Sequence, residues 1–185
     1  MNLRPLLATT AALIVAGCVS IKSTDQDQLP AAWRQALGGK PTALGVGSSV
    51  FAGYGESIHS DGKFAGMMLT QVFFPGQRIQ SDRCTLLLNS SGQLTVTATN
   101  GSGVTATATF DTELDRDAGT LLVKSIPVKD LNEFGRVLST QSAHLQIGTD
   151  RALYAQVRQT GAGIVLFVPV AGTSSVWARW DAAPP

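Results

Sequence analysis

The chain reads as mostly β: one antiparallel barrel or two-sheet sandwich of about eight to ten strands, with two short covering helices. Three observations predict this. Residues 93–100 and 104–111 alternate apolar side chains with threonine, the period-two pattern of a strand with one buried and one wet face. Short turns rich in Asn and Gly separate such segments, and both residues tolerate the positive φ that hairpins need. Runs with helical spacing are few and short.

In chain order, the first element is a leader. Arg4 precedes the apolar run from Leu6 to Val15, and small residues follow. That is the layout of a secretory signal peptide, and the run is shorter than the roughly 20 apolar residues a permanent membrane span requires. The four residues Val15-Ala16-Gly17-Cys18 resemble the lipobox of bacterial lipoproteins. The resemblance implies that residues 1–17 are removed and that the Cys18 thiol takes a diacylglyceryl group. Several acyl chains on one residue anchor stably, because each buried methylene contributes about 0.8 kcal/mol. The residue after the cysteine is Val19 rather than the aspartate that marks inner-membrane retention in enteric-type lipoproteins, so the resemblance implies the periplasmic face of the outer membrane.

Residues 18–28 form a polar tether, and its ten residues from Val19 to Gln28 reach at most about 35 Å. Residues 29–185 make one β-rich domain, ample for a single core. Arg4 is the leader's only charged side chain, so the mature chain balances 13 basic residues against 13 acidic ones. That balance argues against a nucleic-acid partner, which calls for a basic excess. With Cys18 acylated, Cys84 has no intramolecular partner for a disulfide and reads as a small buried hydrophobe.

Leu29, Trp33 and Leu37 recur every four residues, with Pro30 near the start and Gly38-Gly39 past the end. The spacing predicts an amphipathic helix that covers one face of a sheet. Residues 42–58, rich in Gly and Ser, predict a bent strand or partial loop, and Phe64 to Phe74 a strand ended by Pro75-Gly76. A first meander follows over 84–89, 93–100 and 104–111. Asp130-Leu131-Asn132-Glu133 resembles a capping box, with Leu131, Phe134, Val137 and Leu138 forming one stripe of a second helix that Gly135 weakens. A second meander covers 143–147, 151–158, 164–170 and 174–180, with turns at Gly148-Thr149-Asp150, Gly161-Ala162-Gly163 and Gly172-Thr173. The run from Ile164 to Val168 is apolar on both faces and needs an outer cover, for which the N-terminal helix is the candidate.

Candidate chemistry is sparse. Glu56-Ser57-Ile58-His59-Ser60-Asp61-Gly62 gathers carboxylates, hydroxyls and an imidazole, the residue types of a hydrolase, but no Gly-x-Ser-x-Gly elbow or His-Glu-x-x-His motif accompanies them. His144 shares a strand face with Gln146, the wetter side, and two histidines far apart exclude an all-histidine metal site. Asp111, Glu113, Asp115 and Asp117 stand at every second position, a spacing seen among calcium ligands in loops, although Arg116 occupies the place of the sharp-turn glycine. Neither the glycines at 45–47 nor Gly39-Lys40-Pro41-Thr42 completes a dinucleotide or phosphate loop, so no nucleotide and no other cofactor is expected. Trp177 and Trp180 point to opposite faces of one strand. Val176, Ala178 and Trp180 look inward, while Trp177 beside Arg179 looks outward, the composition of a partner-binding hot spot unless a helix covers it.

The function expected is therefore non-enzymatic. The chain is read as a lipid-anchored module that binds or supports another envelope protein. Alternatives are a lipocalin-like carrier of a small apolar ligand, with Ala98, Ala106 and Ala108 leaving room inside, and a hydrolase built on residues 56–61.

Overall fold

The computed structural model describes residues 29–39, 42, 44–59, 62–115, 118–132, 135–165 and 168–184; the leader, Cys18 and the tether lie outside them. Ten strands form one antiparallel sheet: Gly47–Ala52 (β1), Tyr54–Ile58 (β2), Phe64–Met68 (β3), Arg83–Leu88 (β4), Gln93–Asn100 (β5), Gly103–Asp115 (β6), Thr120–Asn132 (β7), Gly135–Ile147 (β8), Leu153–Val165 (β9) and Val168–Trp180 (β10). Two helices accompany them, Ala31–Gly38 (α1) and Leu69–Phe73 (α2). The spatial order is β1-β4-β5-β6-β7-β8-β9-β10-β2-β3, and the sheet curls into a half-barrel. At one rim the curl is tied shut. Phe51 bridges Ala182, the Ala52 N–H donates to the Asp181 carbonyl at 2.9 Å, and the Ala183 N–H donates to the Val50 carbonyl at 2.9 Å.

Gly53 makes the corner between β1 and β2. Its N–H donates to the Asp82 carbonyl at 2.8 Å and its carbonyl accepts the Leu69 N–H at 2.9 Å. A Cβ here would sit 1.9 Å from the Ser81 carbonyl oxygen, so the close approach of backbone to backbone demands glycine.

Alternation sets the core. Leu94, Val96 and Ala98 of β5 face the concave side with Leu86, Val123, Leu145, Val157 and Trp180, and Leu69, Val72 and Phe73 of α2 fill the space between them. The Trp180 indole N–H donates to the Met67 carbonyl at 3.0 Å, pinning β10 to β3. Ala98 is fully buried, and Ala106 and Ala108 pack against this core, so these small residues bring neighbours together rather than lining a void. On the convex side Leu29, Trp33, Ala36 and Leu37 cover Ile58, Ala152, Tyr154 and Trp177. The Trp33 ring meets Tyr154 edge-on at 5.6 Å and Phe64 at 6.1 Å. An eight-residue helix without a side-chain cap is marginal alone. Burying its large apolar side chains, at about 1.5–3 kcal/mol each, holds it in place.

Four expectations need correction. Residues 130–132 and 135–138 are strand rather than helix: Asp130 pairs with Val137, Leu131 with Arg136 and Asn132 with Gly135 in the β7–β8 ladder. Ladder bonds from β8 onward to β9 outweigh a local pattern already weakened by glycine. Residues 164–170 are not one strand, because β9 ends at Val165 and β10 begins at Val168, its partner. The supposed turns at Gly161-Ala162-Gly163 and Gly172-Thr173 lie inside those strands, where Gly161 pairs with Gly172. Finally, the apolar run from Phe64 to Phe74 divides into β3 and α2. Helix α1 covers Tyr154 and Trp177; the side chains at 164–168, for which it is the candidate cover, lie outside the described ones.

Candidate functional site

Cross-strand register builds a cleft on the inner face of the sheet. One inward row reads Val123, Ala143, Val157 and Val176 across β7 to β10, all apolar. The next row toward the hairpin ends reads Ile126, Gln141, Gln159 and Ser174. Beside this change from apolar to polar opens a cleft of about 590 Å³, walled by Ser57 and His59 of the β2 segment, Met67 of β3, Gln71 of α2, Gln141, Gln159, Ser174 and Ser175.

Its polar groups are held in place. Gln141 is buried, and its side-chain N–H donates to the Val72 carbonyl at 2.6 Å, fixing α2 against β8. The Gln159 amide donates to the Ser139 hydroxyl at 3.2 Å, and the Ser57 hydroxyl donates to the Ala65 carbonyl at 3.2 Å. Among the described residues that line the cleft, amides, hydroxyls and the His59 imidazole alternate with Met67, Val128, Val157 and Val176, and none is Asp, Glu, Lys or Arg. These side chains offer hydrogen-bond donors and acceptors beside apolar surface, which suits a ligand bearing amides or hydroxyls.

The chain matches no family model, no curated protein and no solved structure.

Of the 56–62 loop, Ser57 and His59 reach the cleft together, being two apart on one extended segment. Glu56 sits at the alternate position, paired across to Arg179, and Ser60 and Asp61 lie outside the described residues. Among the described residues, the Glu56 carboxylate is not gathered with the Ser57 hydroxyl and the His59 imidazole.

Trp177 keeps the predicted direction, opposite to Trp180, but it is not an exposed anchor. It is only 6 % exposed, packed under α1, and its indole N–H has no hydrogen-bond partner among the described residues. Arg179 is equally engaged. Its guanidinium contacts Asp150 at 3.1 Å and Asp181 at 2.8 Å, and its Nε donates to the Tyr154 hydroxyl at 3.2 Å. Burial first, and then the Asp150 carboxylate, push the Tyr154 phenol up to about 12. Burial alone would raise the Asp150 carboxyl, but hydrogen bonds from the Ala152 N–H, Tyr154 and Arg179 lower it instead.

The acidic run is spread along regular strand β6 rather than folded into a loop. Asp111 accepts from the Gln93 amide at 3.4 Å, Glu113 pairs with Lys124, and Asp115 accepts the Ala118 N–H at 3.0 Å. Asp117 lies outside the described residues, among which no group of three His, Cys, Asp or Glu side chains is placed to hold a metal ion.

His144 shares its face with Gln146 as expected, yet Gln146 is buried. Both line a smaller pocket of about 310 Å³ with Leu37, Gln156 and Trp177. Burial, aided by Arg158 and opposed by Asp115, holds the imidazole below its ordinary value. Cys84 is fully buried in the core, 3.5 Å from the Ser81 hydroxyl, and burial pushes its thiol up. Cys18 precedes the described residues.

Sequence reading missed Gln141 and Gln159. Both fall outside the strand segments drawn there, and only the full length of β8 and β9 shows that they share one inward row.

Proposed function

We propose that the chain is a lipid-anchored envelope lipoprotein at the periplasmic face of the outer membrane, and that its domain is a non-enzymatic module binding another envelope component through the uncharged cleft. The observation that carries the binding half is the cleft wall itself: polar rows from two long hairpins, fixed by hydrogen bonds and without a charged side chain among the described residues. The anchoring half is supported by the leader ending in Val15-Ala16-Gly17-Cys18. A carrier of a small apolar ligand is less favoured, because α2 and the alanines fill the interior and the cleft wall mixes amides and hydroxyls with its apolar side chains. Hydrolysis is less favoured because Ser57 spends its proton on the Ala65 carbonyl and Glu56 occupies the alternate strand position.

Capture from detergent-solubilised envelope with the acylated protein tests the reading. A specific component should be retained, and Gln159→Leu should reduce its recovery about tenfold while leaving the unfolding midpoint within about 0.5 kcal/mol of the parent, as expected for a half-exposed site. Equal recovery by Gln159→Leu and parent would remove the cleft from the account.

A further inference from the structure

We propose that the outer edge of β3 takes up an extended peptide segment of the partner as an added antiparallel strand. The proposal rests on the cleft reading and names the kind of partner that fits it. Strand β3 ends the sheet, with β2 on its inner side. The His59 N–H donates to the Lys63 carbonyl at 3.1 Å, and the Leu69 N–H donates to the Gly53 carbonyl at 2.9 Å. Antiparallel pairing alternates, so Ala65 and Met67 turn their main-chain groups toward β2 while Phe64, Gly66 and Met68 turn theirs outward. The Met68 N–H accordingly donates to the Gln71 side-chain oxygen at 3.1 Å, which closes the edge at that end. Among the described residues nothing pairs with the outward N–H and C=O groups of Phe64 and Gly66, and both residues are exposed.

The opposite edge of the sheet shows what such a row accepts. There the Ala52 N–H donates to the Asp181 carbonyl and the Ala183 N–H donates to the Val50 carbonyl, so residues 181–183 cover β1 with an extended backbone. At β3 the donors and acceptors recur two residues apart, roughly 6.7 Å at strand rise, a spacing that another extended chain matches. Side chains select which chain. The Tyr54 hydroxyl occupies the place that a Cβ on Gly66 would take, so a residue paired with Gly66 meets the Tyr54 ring on the outer face. Tyr54 and Phe64 are 66 % and 57 % exposed, a surface for an aliphatic or β-branched side chain. Parity turns the neighbouring side chains of the added strand to the inner face, where Ser57, His59 and Met67 line the cleft. The fitting segment therefore alternates aliphatic side chains with hydroxyls or amides. Strand β3 itself, Phe64-Ala65-Gly66-Met67-Met68, lacks that alternation, which argues for a partner's segment over a second copy of this chain.

The test follows amide hydrogen exchange by NMR in the isotope-labelled mature chain as Cys18→Ser. The probe is a capped peptide of alternating serine and valine, about eight residues long and flanked by lysine. At millimolar probe the Phe64 and Gly66 amides should exchange at least about tenfold more slowly, with a smaller change at Ala65 and Met67. A probe N-methylated at its valines, whose N–H groups face β3, should bind at least about tenfold more weakly; methylation at the serines should leave binding within about threefold. A probe that leaves both amides unchanged would overturn the proposal, as would equal weakening by the two methylation patterns. Slow exchange of Phe64 and Gly66 in the free chain would overturn it too: loss of that protection on dilution gives the edge to a second copy, and loss on deleting residues 19–28 gives it to the tether. If the probe fails while Gln159→Leu still loses its captured component, the cleft reading stands and strand addition fails. If the probe protects both amides while Gln159→Leu captures as well as the parent, β3 binds peptide and the cleft reading fails.

Discussion

Trp180 and Trp177 offer a matched pair of substitutions. Both indoles are buried, at 0 % and 6 % exposure, and replacement by phenylalanine removes the same ring atoms from each. The volume terms largely cancel between them. What differs is the N–H. Trp180 donates to the Met67 carbonyl at 3.0 Å, so Trp180→Phe loses that bond and under-satisfies a buried carbonyl, costing about 1–3 kcal/mol. The Trp177 N–H has no partner, so Trp177→Phe removes a buried orphan donor and recovers about 1–3 kcal/mol. Trp180→Phe should therefore be the more destabilising by about 2–6 kcal/mol. With a urea slope of roughly 2 kcal/mol per molar, the midpoints separate by roughly 1–3 M. Equilibrium urea unfolding of the mature Cys18→Ser chain, followed by far-UV circular dichroism, measures this. Coincident midpoints, or a lower midpoint for Trp177→Phe, would refute the reasoning.

Other expectations concern pH and backbone clearance. His144 is held neutral in the fold, so its contribution to stability is present above its unfolded value near 6.5 and is lost as pH falls below that; His144→Gln should flatten this part of a melting-temperature profile. The Asp150 carboxyl is lowered, so its contribution is present above about pH 3.9 and is lost as pH falls through its folded value. Tyr154, at about 12, contributes fully below about pH 10 and loses that contribution between there and its folded value, a slope that Tyr154→Phe should abolish in alkaline melts. Gly53→Ala drives a Cβ against the Ser81 backbone and should cost about 1–3 kcal/mol or more in urea unfolding, with Gly45→Ala, where nothing lies within 4 Å, as the tolerated control.

Where the sequence carries local physics, the fold could be read from it. Strand β5 runs from Gln93 to Asn100 as its alternation predicts, and Asn89 Oδ1 makes the preceding turn by accepting the Ser91 and Gln93 N–H groups. Helix α1 follows from Trp33 and Leu37 one turn apart. The long hairpins were not legible, because Gly161 and Gly172 look like turn residues until each is seen to face the other in a ladder. Helix α2 hides in a run apolar on every side, where a short helix and a buried strand share one pattern. The cleft was half visible: Ser57 and His59 stood out by chemistry, whereas Gln141 and Gln159 become neighbours only through register. Parity placed Trp177 on the outer face correctly, but parity says nothing of which element lies above that face.

The anchor at Cys18 orients everything proposed for this domain, and the intact mass of the protein extracted with detergent from its native host tests it most directly. A chain beginning at residue 18 with the added mass of diacylglycerol and further acyl groups is the predicted result. A chain that retains residues 1–17, or one that begins at an unmodified Cys18, would contradict it.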